Sequence, residues 1–201
     1  MRPIPTAFPA LLLMASASLA AQTDPIPPPP APPVVPATAG PDLFDPATHC
    51  RQMGSLKGSS RVNLTETTPV MKTPEHLRAP AFCLKIPPGA KSLLLRNYAT
   101  GGLTYRSQTI VPPSARFLDE HFALVRDYPD PKAQVREYMM KGIGLSAEFR
   151  LDQALAPARY VVFYGNPALL GPGVEVFTGM EVITIPYAVY GEINITFSRS
   201  R

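Results

Sequence analysis

The sequence predicts an all-β fold: a single antiparallel β-sandwich of jelly-roll or immunoglobulin-like arrangement, with one or two short helices. Three observations predict it. Apolar and polar residues alternate at period two in several segments, short β-prone runs recur at near-regular intervals, and Pro, Gly and Asp clusters separate them. The charged fraction of 17% fits the modest solvated faces of a sheet protein better than a protein of long helices.

The first element expected is a targeting segment. Arg2 precedes the apolar run Ala10–Ala15, and Ser18-Leu19-Ala20 places small residues where a signal peptidase reads them. Residues 1–20 are therefore expected to be a secretory signal peptide. The run is too short for a permanent membrane anchor, so no integral membrane segment is expected after cleavage.

Residues 21–41 come next, with Pro-Ile-Pro-Pro-Pro-Pro-Ala-Pro-Pro-Val-Val-Pro at their heart. Proline fixes φ and donates no hydrogen bond, so a disordered, extended spacer is expected here. The folded domain is expected over residues 42–201. Without Arg2 the formal charge falls from +4 to +3, and its basic residues form no stripe that could track phosphates. No nucleic-acid partner is expected.

Within the domain, Leu145, Ala147, Phe149 and Leu151 alternate with polar residues, as do Ile193, Ile195 and Phe197. Each set predicts a strand with one buried face. Lys91–Tyr98, Leu103–Val111 and Arg159–Tyr164 are rich in leucine, β-branched or aromatic residues. Ala81–Ile86, Arg116–Leu118, Phe122–Asp127 and Glu181–Ile185 supply shorter candidates. Turns are expected at Pro87-Pro88-Gly89, Gly101-Gly102, Pro112-Pro113 and Tyr128-Pro129-Asp130-Pro131. One short helix is expected over about residues 131–141. A second is expected to open with Asn166 as N-cap and Pro167 as its first residue, and to stop at Gly171.

Export makes the cysteine count informative. Cys50 and Cys83 are an even pair without redox-type Cys-x-x-Cys spacing, so a structural disulfide is expected. It would staple the N-terminal arm onto an early strand.

No catalytic set emerges from the remaining residues. His49, His76 and His121 lie in separate segments with no His-x-x-x-His spacing. Ser114, Asp119 and His121 have the residue types of a hydrolase triad but lack the Gly-x-Ser-x-Gly elbow. Asp119, Asp127 and Glu148 are candidates for a glycosidase pair, whose test is a separation that sequence does not give. Asp119-Glu120-His121 are adjacent, so on a strand they point to opposite faces, and a turn accounts for them better. The chain is expected to be non-enzymatic, with no catalytic, cofactor-binding or metal-ligating residues. Tyrosines in or beside strands, among them Tyr98, Tyr105, Tyr128, Tyr160, Tyr164, Tyr187 and Tyr190, could stack on sugar rings, but strand tyrosines are commonly half-buried sheet residues.

Several stretches resemble the maltose operon periplasmic protein family. They are Phe82–Pro87, Ser92–Leu95 and Ile110–Asp119, then Ala147–Leu151 with Arg159–Tyr164, and the approach Ile185–Ile193 to a last strand. The resemblance covers about residues 80–197 and rests on packing and turn patterns. The proline-rich N-terminus and the two cysteines depart from it. It implies a periplasmic location and an association with maltose or maltodextrin uptake, and it carries no functional residue across.

Two functions are therefore expected. The first is a non-enzymatic periplasmic accessory to carbohydrate transport, with a maltodextrin or an envelope transport protein as partner. The second is an envelope structural or protein-interaction module with no sugar ligand. Exposed tyrosines around a groove would favour the first, and an exposed apolar patch or unpaired edge strand the second. Carboxylates clustered in a deep pocket would favour a hydrolase.

Overall fold

The computed structural model describes residues 43–52, 59–101, 104–138, 142–177 and 179–199. The expected signal peptide (1–20) and proline-rich linker (21–41) lie outside the described residues. After a short helix, α1 (Pro46–His49), the chain forms β1 (Cys50–Gln52), β2 (Ser59–Leu64), β3 (Val70–Lys72), β4 (Arg78–Lys85) and β5 (Ser92–Tyr98). Then come β6 (Thr100–Gly101), β7 (Gln108–Thr109), β8 (Ser114–Leu118), β9 (Leu124–Tyr128) and β10 (Gln134–Tyr138). The last strands are β11 (Gly142–Arg150), β12 (Tyr160–Tyr164), β13 (Gly173–Phe177), β14 (Val182–Pro186) and β15 (Gly191–Ser198).

These strands build the expected β-sandwich. One sheet has the order β1-β4-β12-β8-β9, with β3 also on β4, and the other β10-β11-β5-β15-β2. Pairing is antiparallel except for β1 on β4. The alternating residues explain the layers. Leu84, Phe117, Val161 and Phe163 from the first sheet meet Leu93, Leu95, Phe149, Ile193, Ile195 and Phe197 from the second in one core. Burying each such side chain contributes roughly 1.5–3 kcal/mol against exposure.

The outer face of the first sheet is covered as well. Ala79, Ala81, Cys83, Val162 and Tyr164 pack there with Phe44, Cys50 and Phe122. Cys50 and Cys83 stand opposite each other in the β1–β4 register and form the expected disulfide, with Cα atoms 4.5 Å apart. The bridge thus fixes the N-terminal arm to β4.

Two expected elements differ. The helix expected over about residues 131–141 is instead β10, whose residues 134–138 pair with Ser146 back to Gly142 of β11. Val135 and Tyr138 have helical spacing, but a lone turn of helix there would leave this edge of β11 unpaired. Ladder hydrogen bonds to a neighbouring strand outweigh a weak local propensity. The run Leu103–Val111 is not one strand either, since its described part holds a 3-10 turn at Tyr105–Ser107 followed by the two-residue β7. The second expected helix is a 3-10 turn, Pro167–Leu169, capped as expected by the Asn166 side chain, which accepts from the Ala168 N–H at 3.1 Å.

Candidate functional site

The β13–β14 ribbon is the candidate site. Val174, Ile183 and Ile185 turn inward onto Ile110, Ile143 and Leu145, covering a region of the second sheet with a separate apolar cluster. Gly173 sits opposite Pro186, where an added Cβ would collide with the main chain of Ile185, so the strand can close on its partner only without a side chain. This packing anchors the ribbon's base.

The other side of the ribbon faces solvent, and its tip is apolar. Phe177 and Val182 are directly opposed in the ladder and are 69% and 64% exposed, while Met180 in the connecting turn is 94% exposed. Gly179 supplies the left-handed backbone of that turn, at φ 91°. Arg106 donates to Glu181 at 2.6 Å and ties the turn to the 3-10 segment beneath it. Scattered exposed apolar residues are ordinary, whereas here three large ones are gathered on one ribbon tip.

The residues considered for catalysis do not converge. His49 stacks on Phe44 at a centroid distance of 5.5 Å, whereas His76 and His121 are exposed in loops. Asp119 is a turn residue, accepting from the N–H groups of His121 and Ala123 at 2.8 and 2.9 Å. Ser114 donates to the Pro129 carbonyl at 2.7 Å. Asp127 is held by Arg116 at 2.6 Å and by the Tyr164 hydroxyl at 2.9 Å. Burial first, and then the Asp127 charge, push Tyr164 well above the ordinary tyrosine range and keep it a neutral donor. Glu148 is exposed on β11, remote in the topology from that cluster. Among the described residues no group of three or more His, Cys, Asp or Glu is placed to hold a metal ion.

The tyrosines do not form an exposed ring. Tyr164 is buried, and Tyr98, Tyr128, Tyr160, Tyr187 and Tyr190 are half-buried. Tyr128 contributes its ring to Phe117 and Phe149, and Tyr160 lies against Phe122. The side chain of Tyr105 lies outside the described set.

The described residues also form two open clefts of about 510 Å³ each. One lies on the outer face of the first sheet among Phe44, Met71, Leu118, Phe122 and Leu124. The other runs beside β11, between Asp130–Lys132 and the 3-10 turn Gln153–Leu155. No described helix is long and apolar enough to cross a membrane. No family model, curated protein or solved structure matches the chain.

Proposed function

We propose that this chain is an exported, non-catalytic docking module of the cell envelope, accessory to carbohydrate uptake. The apolar tip of the β13–β14 ribbon carries the reading, because Phe177, Met180 and Val182 stand in solvent on a ribbon whose base is anchored in the core. Apolar side chains in that position gain by desolvation when a partner covers them, at about 25 cal/mol per Å². Export is supported by the N-terminal sequence and by the disulfide, which persists in oxidising compartments. The link to maltose or maltodextrin uptake is supported by the sequence resemblance.

The test compares the mature chain with the triple variant Phe177→Ser, Met180→Ser, Val182→Ser in two measurements. Wild type should co-fractionate with an envelope protein and the variant should not; equal retention would overturn the docking reading. Calorimetric titration with maltose and longer maltodextrins should give no saturable heat. Saturable heat that is unchanged in the variant would instead make the chain a sugar-handling protein.

A further inference from the structure

We infer that the cleft beside β11 is a strand-acceptor site, which takes an extended peptide segment of a partner protein onto the free edge of residues 147–150. The ladder itself places the edge. The Leu151 N–H donates to the Lys91 carbonyl, and the Ala99 N–H donates to the Ile143 carbonyl, both at 2.9 Å. These bonds extend the β11–β5 register, in which Phe149 opposes Leu93 and Ala147 opposes Leu95. Odd-numbered residues of β11 therefore bond to β5. Because N–H and C=O directions alternate along an antiparallel strand, the even-numbered residues face the other way.

On that side β10 pairs with β11 only as far as Ser146, opposite Gln134. Glu148 and Arg150 thus turn their main-chain N–H and C=O groups toward the cleft, with no strand among the described residues paired to them there. Among the described residues no main-chain hydrogen bond joins the β9–β10 connection to them. The Pro129 carbonyl is held toward the first sheet by Ser114 at 2.7 Å and Asn166 at 3.1 Å, and neither Pro129 nor Pro131 has an N–H to offer. An edge left open inside a cleft accepts a strand while staying shielded from indiscriminate edge-to-edge association.

The side chains specify the segment. Ala147, Phe149, Tyr128 and Leu155 line the inner wall of the cleft and are apolar or aromatic. Glu148 and Arg150 are exposed on the outer face, and neither forms an ion pair among the described residues. A strand added here bonds through the residues opposite Glu148 and Arg150. Its complement is a basic residue opposite Glu148, an acidic residue opposite Arg150, and an apolar residue between them facing inward. The other charges at the rim, Asp130, Lys132 and Asp152, are of mixed sign and impose no overall preference. The proline-rich linker of this chain is a poor occupant, since proline cannot donate to a ladder.

This inference stands on a surface separate from the ribbon tip, and the test keeps the two apart. The isotope-labelled mature chain is titrated with the blocked peptide Thr-Glu-Val-Lys-Thr while amide shifts are followed. Saturable shifts should centre on residues 147–150, Tyr128 and Gln153. N-methylation of the peptide's Glu and Lys residues should weaken binding at least tenfold. Glu148→Lys should transfer the preference to Thr-Glu-Val-Glu-Thr, which then matches two cations. Absence of saturable shifts up to millimolar peptide, shifts centred elsewhere, or indifference to N-methylation would each overturn the strand-acceptor site. The ribbon-tip triple variant should bind the peptide as wild type does, so loss of peptide binding alone leaves the docking reading standing.

Discussion

Tyr164 on β12 and Asp127 on β9 share a hydrogen bond of 2.9 Å across the intervening strand β8, whose Arg116 grips the same carboxylate at 2.6 Å. The guanidinium also lies 5.9 Å from the centre of the Tyr164 ring. Three strands of the first sheet are thereby cross-braced on their outer face.

Tyr164→Phe removes a bond to a charged acceptor and should cost about 1.5–3 kcal/mol at neutral pH, measured by urea unfolding. The pH dependence has a fixed sign. Because the folded-state pKa is raised, the unfolded chain releases the tyrosine proton first, and wild-type stability falls as pH rises above the ordinary value of about 10. The phenylalanine variant lacks that loss, so the gap between the two proteins should narrow above pH 10. A gap that is constant with pH would show that Tyr164 titrates normally.

Reduction should release the N-terminal arm. Cys50 and Cys83 are 33 residues apart in sequence, and closing a loop of that length is worth roughly 3–4 kcal/mol. A thermal melt with and without reductant should therefore differ by about 10 °C. Detection of two free thiols in the native protein would contradict the bridge.

Gly165 follows β12 where the main chain of Val189 presses against it, so that a Cβ would overlap the Val189 carbonyl. Gly165→Ala should destabilise the domain by about 2 kcal/mol or more, with an unchanged dependence on denaturant concentration. A neutral result would mean that the Val189 segment yields easily.

Changes at the ribbon tip should separate binding from folding. Met180→Ser and Phe177→Ser remove exposed side chains and should each alter stability by no more than about 0.5 kcal/mol. A larger loss in thermal or denaturant unfolding would show that the tip supports the fold and is not held in reserve for a partner.

Much of this architecture was legible in the sequence, because period-two alternation is a local property. Leu145–Leu151 and Ile193–Phe197 had to bury one face whatever they packed against, and the Asn166-Pro167 cap acts within three residues. The paired cysteines, with the expected export, indicated the disulfide without indicating that it would join two parallel strands. Other elements carry no such local mark. The short β3 is defined by its pairing with β4, and β10 became a strand because β11 offered it an edge.

The proposed docking surface was less legible for a related reason. Phe177, Met180 and Val182 look like core residues in sequence, since hydrophobicity does not reveal which face of a ribbon is covered. Tyr128 and Tyr160, offered as sugar platforms, were drawn instead into aromatic contacts across the fold. The sequence by itself determined the β class, the turn at Pro87-Pro88-Gly89 and the cysteine pair, all of which follow from short-range periodicity, backbone restriction and composition. Tertiary structure alone decided which side of the β13–β14 ribbon meets water and which backbone groups of β11 remain unpaired. Both depend on the neighbours that long-range register brings alongside, and register is a property of strand pairs rather than of any one strand.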